Sequence, residues 1–255
     1  KKLAAGADVI VLDVKAGSGA FFPDHESALA AAQAMVDIGT GAGRRMAAVV
    51  SDMSQPLGRA VGNALEVGEA LDTLEGHGPS DFSDFVVELA SIIVALASDG
   101  SQGRREVERA LGDGSGLAAL RRMVTAQGGD TTAFDDRSRL PAARLRYPVL
   151  AESDGYIARL DALSIARASM ALGAGRERKG DSIDLTVGVL LERKIGERVS
   201  RGESLAVVHA NDERRLARAS EMLRAAIDVS ATPVSPPPLI LDRLTGSTAA
   251  PRAPA

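Results

Sequence analysis

Residues 7–14 read ADVIVLDV, a run of β-branched and aliphatic side chains with little alternation of polar and apolar positions. A half-exposed strand would alternate, so this run predicts a strand buried on both faces, as in a parallel sheet covered by helices. RRMAAVVSDM (44–53) predicts a second strand of the same kind. Between them DHESALAAAQAMVDIGTGAG (24–43) is helical, with Asp24 as N-cap and Gly39 to Gly43 ending the helix. GRAVGNALEVGEALDTLEG (58–76) predicts a second helix. Strand, helix, strand, helix with short connections indicates right-handed parallel crossovers. In such sheets, sites form where loops leave the carboxyl ends of strands. KAGSGAFF (15–22) and SDMSQPLG (51–58) are loops of that kind.

The fold class expected is α/β: a mostly parallel sheet flanked by helices, then a small, β-rich C-terminal α+β module. KKLAAGAD at the start reads as the last turn of a helix whose beginning is absent, so a fragment is expected, with residues 1–6 the end of an α-domain helix. The α/β domain is placed at 7–130, with helical segments from Asp81 to about Gly128, and a connector at 131–146. Short β-like segments with glycine turns fill much of 147–241, closed by an amphipathic helix in NDERRLARASEMLRAAIDVS. Residues 242–255, rich in alanine and proline, are expected to be a disordered tail.

Composition excludes several functions. Lys+Arg 30 against Asp+Glu 34 leaves a net charge of −4, which argues against a nucleic-acid binder. Without cysteine there is no thiolate catalysis and no cysteine-ligated zinc, and the three histidines have no metal-binding spacing. The most apolar helix, FVVELASIIVALA, carries Glu88 and is too short to span a bilayer, and the start lacks a signal-peptide pattern. No membrane partner and a cytoplasmic location are expected.

The glycine loop fits neither familiar phosphate-binding pattern. A P-loop ends on Gly-Lys-Ser/Thr, but here Lys15 precedes the glycines. A dinucleotide loop needs a third glycine where Ala20, Phe21 and Phe22 stand. A plain βα turn, with Gly17 and Gly19 free to adopt positive φ, stays open as the alternative. In the second loop, small residues and a proline precede a helix bearing Glu66 and Glu69 on one face. Oxygen-rich loops followed by a carboxylate suit a hard cation, though exposed helix acids are commonly just solvated.

Taken together, KKLAAGADVIVLDVKAGSGAF, SDMSQPLGRAVGNALEVGEAL, AQGGD, SDGYIARL and LGAGRERKGDSIDLTVGV resemble the pyrimidine nucleoside phosphorylase family, which includes thymidine phosphorylase. The likeness runs from Lys1 to about Leu241, and its wording is closer to the broad-specificity bacterial enzymes. It implies reversible phosphorolysis of pyrimidine (deoxy)ribonucleosides to free base and sugar 1-phosphate, with phosphate as co-substrate and no organic cofactor. It implies that Lys1 donates to a pyrimidine carbonyl, the alternative being a solvated helix-end lysine. It also implies a monovalent cation, potassium, held by the main-chain oxygens of Leu57 and Ala60 and by Glu69, with Glu66 the alternative acid. Phe21 becomes the candidate wall of the base site, although phenylalanine is more commonly buried. Phe21 and Phe22 adjoin on an extended chain, so at most one of them faces the cleft.

No catalytic residue is assigned. The family's phosphate-binding Lys-Ser/Thr-Gly-Gly segment belongs before Lys1, so this chain alone is expected to be inactive and the complete protein to be a homodimer. Uridine and thymidine both stay candidates. KIGERVSRGESLAVVHA resembles half of a biotinyl or lipoyl carrier domain, but no lysine follows its last strand and a structural module is expected. An anthranilate-type phosphoribosyltransferase would lack this module. A non-catalytic remnant or binding protein of the same fold remains the alternative function.

Overall fold

A computed structural model describes residues 2–98 and 102–246. The first strand, β1 (Val9–Ala16), leads through the glycine loop into helix α1 (His25–Gly41), and β2 (Arg45–Asp52) follows. Asp24 caps α1 as expected, its carboxylate accepting from Ser27 N at 2.8 Å. Ala28, Ala32, Val36 and Gly39 form the buried stripe of α1, the spacing that a helix needs to pack on a sheet. β1 and β2 pair in parallel, from Val9 beside Arg45 to Ala16 beside Asp52.

The third strand of this sheet differs from expectation. Ile240–Thr245, placed partly in a disordered tail, forms β10, which pairs antiparallel with the other edge of β2. Its Leu241 and Leu244 pack on the core formed by Ile10, Val14, Val36 and Val50. Arg243 bonds Glu88 at 2.8 Å and Asp242 lies 3.4 Å from His25, so β10 is tied to both layers of helices. Apolar burial and these ion pairs order a segment whose composition looked like linker. Residues 247–255 lie outside the described residues.

The two-sided burial expected of both strands holds for β2 but not for β1. Residues 46–51 of β2 are all buried, whereas β1 buries only Ile10, Val14 and Ala16. Its other face carries Asp13 and Lys15, which meet the buried Ser51 of β2 and need a polar setting.

After β2 the chain makes a two-residue strand, β3 (Ala60–Val61), before α2 (Asn63–Leu74). The sequence reading ran a helix through these residues. β3 pairs with β6 (Gly188–Leu191) in the C-terminal half instead. Gly62 and Gly188 make this approach possible: a Cβ on Gly188 would lie 2.6 Å from Val61 O, and one on Gly62 would lie 2.5 Å from Val187 O. Helices α3 (Ser80–Ser98), α4 (Gly103–Gly112) and α5 (Ser115–Ala126) follow where helical periodicity placed them.

The C-terminal half holds β4 (Leu145–Leu150), β5 (Gly155–Leu160), α6 (Ala162–Ser169), β6, β7 (Arg198–Val199), β8 (Ser204–Ala210), α7 (Glu213–Ala226) and β9 (Ile227–Ser230). They form two small sheets, β3-β6-β8-β4 and β7-β5-β9. Their shared core includes Val149, Ile157, Leu160, Ile165, Val189 and Leu223, all nearly inaccessible. Helix α6, capped by Asp161 through Ser164 N at 2.8 Å, was not expected in this β-rich stretch. Each half thus lends the other a strand, β3 going forward and β10 going back.

Candidate active-site cleft

β1 and β2 end side by side, and their loops are joined main chain to main chain. Met53 N donates to Ala16 O at 2.7 Å, and Gly19 N donates to Met53 O at 2.9 Å. Gly17 N closes the first loop on Phe22 O at 3.0 Å. Gly17 has φ 118°, and a Cβ there would lie 2.7 Å from Ser54 N. A Cβ on Gly19 would lie 2.7 Å from the Ala162 Cβ of α6. The two glycines are therefore required by close packing between loops and against α6.

That packing sends Phe21 and Phe22 opposite ways. Phe22 folds onto the core beside Ala16, while Phe21 stands fully exposed. Phe21 borders a cleft of about 490 Å3 together with Asp13, Lys15, Ser18 and Leu163. Lys15 is held in place: its ammonium lies 2.8 Å from Asp13, 3.0 Å from Ser51 Oγ and 4.2 Å from the Phe85 ring centroid. Ser51 Oγ donates to the same Asp13 carboxylate at 2.5 Å. Lys1 lies outside the described residues.

The second loop is turned inward. Pro56, Gly58 and Ala60 are buried, and Leu57 is half-buried between them. The buried ammonium of Lys194 donates to Pro56 O and, at 2.8 Å, to Gly58 O, and it pairs with Asp81 at 2.9 Å. Glu69 reaches the same loop from α2, its Oε1 accepting from Arg59 N at 2.8 Å and Ala60 N at 3.1 Å. Glu66 accepts from Gly62 N at 3.1 Å instead, a helix-capping bond at the start of α2. Arg59 O accepts from Leu191 N at 2.8 Å, so the next pair, Ala60 with Leu190, is the non-bonded kind and the Ala60 carbonyl points away from β6.

Electrostatically this loop is under tension. Burial lifts the Glu69 carboxyl above its usual range, against the hydrogen bonds from Arg59 and Ala60. Burial likewise pushes the Lys194 ammonium below its usual range, against the nearby Asp81 carboxylate. Asp81 and Glu69 both feel this single ammonium, and the neighbouring Arg59 is matched by Glu197 at 2.8 Å. One negative charge is left in excess. Among the described residues no group of three or more His, Asp or Glu side chains converges as a metal centre.

Sequence reasoning missed Lys194 and Asp81: Lys194 opens the stretch KIGERVSRGESLAVVHA, read as structural, and Asp81 lies at the start of α3, more than a hundred residues away in the chain.

Comparison with known proteins decides which family owns this arrangement. Residues 1–117 match the a/b domain of a glycosyl transferase family, and residues 156–230 match the pyrimidine nucleoside phosphorylase C-terminal domain. A pyrimidine-nucleoside phosphorylase of Geobacillus stearothermophilus is 48% identical over 248 residues, 96% of this chain and 57% of that protein.

The chain belongs to the pyrimidine-nucleoside phosphorylase family.

A second relative with that name, from Staphylococcus aureus (strain USA300), is 49% identical over 214 residues, 83% of this chain and 49% of its own. The chain spans about half the length of the curated relatives it matches. The two matched segments flank residues 118–155, which contain most of α5, the connector and β4. No helix among the described residues is long and apolar enough to cross a membrane.

Proposed function

We propose that the complete protein is a cytoplasmic, homodimeric pyrimidine-nucleoside phosphorylase, in which phosphate attacks the anomeric carbon of uridine or thymidine and releases the free base. The observation that carries this reading is Phe21, an aromatic ring left fully exposed on a glycine-pinned loop at the carboxyl edge of parallel strands. Its ring borders the 490 Å3 cleft at the edge where the loops of parallel sheets place their ligand sites. A flat pyrimidine fits that role, since ring faces stack with little demand on hydrogen bonding.

Charge develops on the departing base in this reaction, so donors that strengthen toward it favour the transition state over the ground state. Lys1 is assigned that donor role at a pyrimidine carbonyl. Lys15, with Asp13 and Ser51, fixes the strand that carries the Phe21 loop. Phosphate enters as co-substrate, and no organic cofactor is required.

A potassium ion is assigned to the main-chain oxygens of Leu57 and Ala60 and the Glu69 carboxylate. Supporting this are the Ala60 carbonyl turned from the β6 ladder, the raised Glu69 carboxyl and the single excess negative charge around Lys194. One excess charge and an all-oxygen donor set suit a monovalent cation. When bound, the ion supplies charge balance at the base of the second loop and so steadies the Gly19–Met53 contact that sets the first.

The test is uracil release from uridine by protein expressed from the complete reading frame, with and without phosphate, in potassium or choline chloride. Phosphate-dependent release that is faster in potassium is the expected result. Absence of release under both salts contradicts the activity, and equal rates in the two salts contradict the cation.

A further inference from the structure

A second groove, of about 530 Å3, runs between α2 and the face of the β6–β8–β4 sheet. It shares no lining residue with the Phe21 cleft. Its floor is apolar, with Leu65, Leu140 and Leu190. Most of its charges are already matched. Glu69 is held by the Arg59 and Ala60 amides, Asp72 faces Arg137 at 3.3 Å, and Arg59 pairs with Glu197 at 2.8 Å.

Three groups have no such match, His77, Arg146 and His209, and the last two adjoin. Arg146 of β4 and His209 of β8 are direct cross-strand partners, so their side chains emerge on the same face. His209 is only 7% exposed, yet its imidazole has no hydrogen-bond partner among the described residues, and Arg146 has no acid partner there. The neighbour of His209 on β6 is Gly188, which has no side chain to offer. Thr186, also on the groove, is occupied, donating to Asp184 at 2.6 Å and accepting from Asn211 at 2.7 Å. The His209 ring nitrogens are not among the fully enclosed polar atoms that lack a partner, so they meet the solvent of the groove and are open to a ligand there.

Burial, and secondarily the Arg146 charge, hold the His209 imidazole below its usual range, so near pH 7 it is neutral and presents one N–H. A guanidinium and an imidazole N–H then face one space whose two acids, Glu69 and Asp72, are bonded to other groups. The charged or titratable groups bordering that space besides His209 are Arg59, Glu69, Asp72, His77, Arg137 and Arg146. Its two acids are both engaged elsewhere, as above.

We propose that this groove binds a small organic oxyanion, its phosphate or carboxylate head held by Arg146 and His209 and its apolar body lying over Leu65, Leu140 and Leu190. Guanidinium and imidazole donors both form strong, charge-assisted bonds to such heads. The volume lies within the range of small-ligand sites, and no aromatic wall is present to favour a nucleobase. The site shares no residue with the Phe21 cleft and does not depend on phosphorolysis, although Ala60 and Glu69, assigned above to the cation, also line it.

The test uses imidazole NMR. Only His25, His77 and His209 contribute signals, so His25→Gln and His77→Gln variants assign them. The labelled chain is titrated separately with inorganic phosphate and with hexanoate, against sodium chloride at matched ionic strength. The expected result is a saturable shift of the His209 signal, with its titration midpoint rising because a bound anion favours the imidazolium. Arg146→Gln, at an exposed position, should weaken that binding about tenfold, the loss of one hydrogen bond to a charged group, without moving the melting temperature. A response to phosphate alone assigns a phosphate-class head, and a response to hexanoate alone a carboxylate. An unmoved His209 with both probes, a shift that chloride reproduces, or undiminished binding by Arg146→Gln would overturn the proposal.

Discussion

The two loops that leave β1 and β2 start from similar material, glycines and small residues, and end in opposite states. The first, Gly17 to Phe22, closes its main chain on itself and on its neighbour and leaves Phe21 outside. The second, Met53 to Ala60, draws its main chain inward, where Lys194 takes two carbonyls and Glu69 takes two amides. One loop presents a side chain on a fixed backbone; the other offers backbone oxygens around fixed side chains. The difference suits one to recognising a flat organic ring and the other to holding a hard cation.

If this division is right, removing the buried ammonium should harm folding most. Lys194→Met leaves Asp81 and two loop carbonyls without their donor and should cost about 3 kcal/mol in urea unfolding. A loss under about 1 kcal/mol would mean the second loop is not organised by that residue. Gly17→Ala comes next. A Cβ at φ 118°, 2.7 Å from a main-chain nitrogen, should cost about 2 kcal/mol. Thermal melting of this variant beside Gly43→Ala, whose Cβ would meet nothing within 4 Å, separates close packing from the shared backbone penalty.

Glu69→Gln sharpens the comparison through pH. Folding raises this carboxyl, so the folded chain keeps a proton that the unfolded chain has already lost. Stability from this group is therefore full below the ordinary value of 4.5 and falls as pH rises through the raised folded value. In cation-free buffer the glutamine variant should lose that decline, while also losing any gain in melting temperature from potassium over choline. A potassium gain retained by the variant would move the ion elsewhere. Phe21→Ala should do least to folding, within about 0.5 kcal/mol, because the ring touches mainly solvent.

What was legible in the sequence followed chain-local signals. The Asp24 cap, the Ala28–Val36 stripe and the apolar run of β2 announce themselves within a few residues. β3 and β10 do not, because each is a strand only by virtue of a partner far along the chain. Three prolines, Pro236 to Pro238, made the β10 region look like linker, yet they only precede it, and Leu239 O already accepts from Asp52 N at 2.9 Å. For α6 a local signal did exist: Asp161 three residues before Ser164 is an N-cap pattern, masked by the β-like GYIARL beside it. The same contrast divides the site. Phe21, Leu57, Ala60 and Glu69 lie in stretches that point to the site directly, whereas Lys194 and His209 lie in one read as structural, and only tertiary pairing brings them to Asp81 and Arg146.

Steady-state kinetics of Phe21→Ala, made in protein from the complete reading frame, test the central assignment most directly. Losing a stacking surface worth about 1–3 kcal/mol should raise the nucleoside KM about fivefold or more, while the phosphate KM and the melting temperature stay put. A nucleoside KM equal to that of the unaltered enzyme would show that the base binds somewhere other than this cleft.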